Sequence, residues 1–136
     1  MFGRSWGLKN NSQAHKIIGK TKLFTSEIGE VRYEGDWYDY DSKYFKNNKI
    51  TIPAEIDSKI TKEIKEIAIQ SCRALNIFGF ARVDFFLEKS SNKILLNEIN
   101  TIPGFTKNSM FPMLWEASGL KIEQLVAKLV DISLDL

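Results

Sequence analysis

ARVDFFLEKSSNKILLNEINTIPGFT, residues 81–106, is the stretch whose reading decides the fold. Two apolar-rich runs flank Lys89 to Lys93, with Ser90, Ser91 and Asn92 at the tip. The pattern predicts an antiparallel hairpin with strands at 79–88 and 93–100 and a five-residue loop. Closure symmetric about Ser91 sets Arg82 opposite Asn100 and Asp84 opposite Glu98. Side chains alternate along a strand, so these four share one face. Val83, Phe85, Leu87, Leu95 and Ile99 then occupy the other face and supply the core.

The polar face carries a cost. Directly opposed residues have Cβ atoms roughly 4.5–5.5 Å apart, and like charges there repel. Two readings follow. One is a solvated Arg–Asp–Glu salt-bridge cluster. The other is a cation site, because a bound cation turns the Asp84–Glu98 repulsion into attraction. Mg²⁺ suits it, preferring hard oxygen ligands and using one or two carboxylates plus substrate phosphates. Asn100 offers a third oxygen, and Arg82 could hold a phosphate or a developing oxyanion. A register slip of one residue would move the set to the opposite face.

Gly104 follows Pro103 and can present its N–H to a ligand, although Pro-Gly is also an ordinary turn. Ser109 opens the next helix, either as a plain N-cap or as part of a carboxylate site with the free N–H groups of the first turn. Lys43, among Asp39, Tyr40, Asp41 and Tyr44, either reaches a transferred phosphate or is a surface lysine. Trp37 and Trp115 read as packing residues, His15 as surface, and Cys72 as a half-buried helix residue. With one histidine, His15, lacking a partner cluster, and one cysteine, no Ser–His–Asp arrangement, Cys/His metal set or internal disulfide is expected.

The flanking chain reads as α+β, helices packed on a mostly antiparallel sheet. Residues 1–15 are expected to be a Gly/Ser-rich arm without regular structure, and 16–136 a single catalytic domain. Strands are expected at 16–19, 23–26 and 28–34, with a turn at Gly35-Asp36, then a short strand and excursion loop over 37–52. Ile60, Ile64, Ile67, Ala68 and Leu75 predict a helix over 57–76, capped by Asp57 or Ser58. A short helix is expected from Ser109 to Gly119. An amphipathic one should follow over 122–133, with Ile122, Leu125, Val126, Leu129 and Val130 buried.

Composition is that of an ordinary globular domain: 136 residues, 43% hydrophobic and a net charge of +2. The near balance of 19 basic and 17 acidic residues gives no sign of a nucleic-acid partner. No apolar run approaches the roughly 18 residues of a membrane span, and the N-terminus lacks a secretory pattern, so a cytoplasmic location is expected.

The run LLNEINTIPGFTKNSMFPMLWEASGL, with RVDFF before it and YDYDSKY upstream, resembles D-alanine–D-alanine ligases, which are ATP-grasp enzymes. The resemblance covers about 16–133 and implies ATP-dependent joining of two D-alanines for peptidoglycan through an acyl phosphate. It implies ATP and two Mg²⁺ ions, with Mn²⁺ as a substitute, as cofactors. It assigns Asp84, Glu98 and Asn100 to the metals and Arg82 and the Gly104 N–H to the oxyanion. It assigns Ser109, beside Met110, to the second amino acid's carboxylate, Lys43 to nucleotide phosphate, and Tyr44 to the loop that closes over the site. Residues 3–8 faintly resemble the family's phosphate-covering loop, and the N-terminal domain and part of the central domain are expected to be absent. A homodimer or further ligase segments are the implied partners. Two alternatives stay open: an inactive domain that binds nucleotide or metal weakly, and a D-Ala–D-Ser or D-Ala–D-lactate ligase.

Overall fold

A computed structural model describes residues 2–10, 22–33 and 48–134. In chain order the elements are β1 (Phe2–Asn10), β2 (Lys22–Thr25), β3 (Gly29–Tyr33), β4 (Asn48–Thr51), α1 (Ser58–Ala74), β5 (Phe80–Glu88), β6 (Lys93–Asn100), α2 (Met110–Ala117) and α3 (Ile122–Leu134). The strands form one antiparallel sheet in the order β4-β3-β1-β5-β6, with β2 also paired to β1. The architecture is α+β, as expected.

The main correction is at the N-terminus. Residues 1–15 were expected to lack regular structure, yet Phe2–Asn10 forms a strand inside the sheet, bonded to β2, β3 and β5. Gly3, Ser5 and Gly7 have weak intrinsic strand preference, but strand preference depends strongly on neighbours, and here partners lie on both sides. β2 and β3 match the strands read at 23–26 and 28–34. The strand read at 16–19 and the Gly35-Asp36 turn lie outside the described residues, as does 37–47. β4 occupies the end of the 37–52 stretch, where the excursion loop and not the short strand was expected.

The sheet buries both faces. On one, Ala81, Val83 and Phe85 of β5 meet Ile64, Ala68 and Cys72 of α1, with Ile28 and partly buried Leu23, Ile94 and Ile99 completing the cluster. On the other, Val31 packs against Met110, Phe111, Leu114 and Trp115 of α2 and Leu125 and Ile132 of α3. Phe80 belongs to this second face, its ring 5.4 Å from that of Phe111. Helix α2 therefore covers the start of β5, and the next two even-numbered positions, Arg82 and Asp84, carry polar side chains.

Helix α1 begins as expected, with Asp57 accepting from the Lys59 N–H at 2.7 Å. It ends at Leu75, which is the C-cap and exposed rather than part of the stripe. Asn76 follows in the left-handed region, φ 52°, which suits an Asn after a helix. In α3 the expected stripe is also narrower. Val126 and Val130 are exposed and Ile132 is buried, so the seam runs through Ile122, Leu125, Leu129 and Ile132. A helix touching one neighbour along a line buries a seam of this width, not a broad face.

One carboxylate is wholly enclosed. Glu30 on β3 is held by Arg32, with Nε 2.6 Å from Oε1 and Nη2 3.2 Å from Oε2. That pairing satisfies a charge otherwise costly to bury. The hydrogen bond to Glu30, and then its charge, push the Arg32 guanidinium above its ordinary value.

Two expected outcomes follow from this packing. A Cβ added at Gly29 would stand 2.6 Å from Met110 Cε and 2.8 Å from Leu114 Cδ2. Gly29→Ala should therefore lower stability by about 1–3 kcal/mol in urea unfolding. Burial pushes the Cys72 thiol up. The folded chain thus keeps that proton at pH values where the unfolded chain loses it, so this contribution is complete below the ordinary thiol pKa and is lost as pH rises above it. A thiol reagent at pH 8 should label Cys72 only at the rate of unfolding.

Candidate functional site

The hairpin brings the four polar residues together by a route that differs from symmetric closure. The turn occupies 89–92, with Glu88 paired to Lys93 and Asn92 at φ 55°. This shorter turn slips the register by one residue relative to closure about Ser91. A β-bulge then restores it: Phe85 pairs with Leu96 and Asp84 with Glu98, leaving Asn97 as the extra residue. Beyond the bulge Val83 meets Ile99 and Arg82 meets Asn100. Leu95 pairs with Phe86 and is exposed, so its expected place in the core is taken by Ile94.

Arg82 draws the acids together. Its Nε lies 3.0 Å from both oxygens of Asp84, and its Nη2 lies 3.2 Å from Glu98 Oε1. The environments of the two acids differ. The Asp84 side chain is 7% exposed and that of Glu98 55%. The Glu98 arm is therefore worth little, about 0.2–1 kcal/mol for an exposed pair, while the Asp84 arm is shielded from water. On the far side of Asp84, its register partner on β1 is Arg4, in the 3–8 segment that the sequence reading took for a loop because residues 1–15 showed no strand periodicity.

Asp84, Glu98 and Asn100 are the residues that could hold a hard divalent cation. Two directly opposed carboxylates already gather one positive group, the Arg82 guanidinium. Asn100 Oδ1 accepts from the Ile102 N–H at 2.9 Å, and an amide oxygen has a second lone pair for a metal. Among the described residues no group of three or more His, Cys, Asp or Glu gathers. Two carboxylates and an amide leave coordination positions for phosphate and water, the pattern Mg²⁺ prefers.

The loop after β6 forms a compact unit beside the start of α2. Ser109 is the N-cap residue by position, yet its hydroxyl makes no cap bond. Its Oγ instead accepts from the Thr106 N–H at 3.0 Å and bonds the Thr106 hydroxyl at 2.8 Å. First-turn N–H groups of α2 are thus left to other acceptors. A Cβ on Gly104 would come within 3.1 Å of Ser109 Oγ, so the serine lies against the glycine backbone. Phe105 anchors the unit, its ring 5.7 Å from that of Phe111. Thr106 and Phe105 were not singled out from the sequence; only the apolar Phe105 in an otherwise polar turn hinted at an anchor. Met110 is buried in the α2 cluster, so its backbone, not its thioether, is what it can offer a ligand. Lys43 and Tyr44 lie outside the described residues.

Among solved structures, the D-alanine–D-alanine ligase from Coxiella burnetii is 33% identical with a TM-score of 0.75, covering 98% of this chain and 32% of that one. VanG D-Ala:D-Ser ligase from Enterococcus faecalis is 32% identical with a TM-score of 0.75, covering 96% of this chain and 36% of that one. The fold is accordingly that of the C-terminal subdomain of the ATP-grasp ligases. The family described as D-ala D-ala ligase C-terminus matches residues 10–131, and the chain belongs to that family. A D-alanine–D-alanine ligase from Prochlorococcus marinus strain MIT 9301 is 92% identical over 120 residues, covering 88% of this chain. Another, from strain MIT 9312, is 82% identical over 130 residues, covering 96% of this chain. The chain spans 34% and 37% of their lengths, about a third of the curated relatives it matches.

Metal at about ten times its Kd should add roughly 1.4 kcal/mol of stability, a rise of a few degrees in Tm. Differential scanning fluorimetry with Mg²⁺ or Mn²⁺ checks this, and Glu98→Gln should remove most of the rise. An equal rise in that variant means that Glu98 is not a ligand.

Proposed function

We propose that this chain is the catalytic C-terminal portion of an ATP-dependent D-alanine–D-alanine ligase, acting in peptidoglycan synthesis in the cytoplasm. The observation that carries the reading is the Asp84–Glu98 pair, opposed in register and gathered by Arg82 beside the Gly104–Ser109 loop. The 92% identity to a D-alanine–D-alanine ligase favours D-alanine over D-serine as the second amino acid.

In this reading Asp84, Glu98 and Asn100 hold the divalent ions, which when bound neutralise nucleotide phosphate charge. Arg82 and the Gly104 N–H orient the reacting carboxylate and stabilise the oxyanion that forms when the second amine attacks. The Ser109 hydroxyl and the α2 N–H groups bind the carboxylate of the second amino acid, and the helix dipole favours that negative charge. Lys43 contacts the transferred phosphate, and Tyr44 fastens the covering loop.

Phosphate release from ATP with D-alanine tests the assignment. The chain is expected to turn over only when mixed with the N-terminal portion of a curated relative. Arg82→Met in that mixture should lower kcat by about 10²–10³, the cost of one oxyanion donor elsewhere. Absence of turnover in a correctly folded mixture, or selective use of L-amino acids, would refute the proposal.

A further inference from the structure

The geometry points to a second task for Arg82. Before metal binds, its guanidinium occupies the cation position between Asp84 and Glu98; metal entry releases the Glu98 arm and frees Nη2 for a phosphate oxygen. The inference rests on the metal-site reading above and adds an order of events to it.

Three observations carry it. A single guanidinium spans both acids, with Nε 3.0 Å from Asp84 and Nη2 3.2 Å from Glu98, so the positive charge stands between the two carboxylates. The Nε–Nη2 edge is one of the two guanidinium edges that match a two-oxygen acceptor, and both of its nitrogens are committed to protein carboxylates. The two arms are also unequal, Asp84 being enclosed while Glu98 is more than half exposed. The Glu98 arm opens first when a cation competes, and the Asp84 arm keeps the guanidinium at the site.

Arginine can do this and lysine cannot. An ammonium is a point charge without a fork and does not hold two carboxylates in a fixed plane. Arg82 thereby offsets the like-charge repulsion of the two acids and withholds its Nε–Nη2 edge from phosphate until metal is present.

The experiment uses the full chain, with Mn²⁺ binding read by the electron paramagnetic resonance of the free ion. Arg82→Lys keeps the charge and loses the fork, so its Mn²⁺ affinity should exceed that of the wild type, on the order of fivefold for release of one exposed arm. Arg82→Met should bind more tightly still. Equal or weaker binding by Arg82→Lys, with wild-type binding intact, overturns the clamp and leaves the metal site standing. No Mn²⁺ binding by the wild type or either variant removes the metal-site reading and this inference together. On the wild type alone, the Arg82 Nε–H signal in ¹⁵N NMR, identified by its loss in Arg82→Lys, should move with Mg²⁺. It should respond to inorganic phosphate only after Mg²⁺ is added. An equal response to phosphate without Mg²⁺ would overturn the order of events.

Discussion

Two carboxylates facing each other across adjacent antiparallel strands are the constraint on which the rest of this structure depends. Asp84 and Glu98 are Cα partners, and strand pairing gives neither backbone freedom to move away. The repulsion must be met by positive charge, which Arg82 provides from the same face two residues earlier. A hairpin with apolar residues at these positions would carry no such repulsion; in this one the Arg82 guanidinium offsets it. The site is thus built into the sheet and needs no mobile element to assemble its acids.

The two cores explain why this polar face exists where it does. Alternation sends Ala81, Val83 and Phe85 to α1, and sends Phe80 to α2. Helix α2 covers Phe80 through Phe111, and Arg82 and Asp84 follow on the same face of β5. Burial of the pair is graded: Asp84 is enclosed and Glu98, on β6, at the end of the sheet among the described residues, is not. Phe105 ties the following loop to the same helix through Phe111, so the Ser109–Gly104 unit is positioned by the packing that defines the end of the core.

The bulge at Asn97 shows how a correct pairing can arise from an incorrect premise. Symmetric closure about Ser91 predicted Asp84 opposite Glu98, and the structure has that pair. The turn is nevertheless shorter by one residue, and the pairing returns only because Asn97 is extruded. Leu95 records the difference, pointing with Phe86 away from the core that symmetric closure assigned to it. Turn length and bulges are settled by twist and packing along the whole ladder, which a count of residues between strands does not contain.

β2, β3, the three helices in their order, the cap at Asp57, the hairpin and the grouping of Arg82, Asp84, Glu98 and Asn100 were legible in the letters alone. Each rests on a local period or a short spacing. Tertiary structure decided the rest: the interior place of Phe2–Asn10, the bulge, the narrow seam of α3, the burial of Met110 and the hold of Thr106 on Ser109. These depend on partners distant in the chain. A Gly- and Ser-rich segment becomes a strand when edges on both sides accept its hydrogen bonds, and an apolar side chain is buried only where another element covers it.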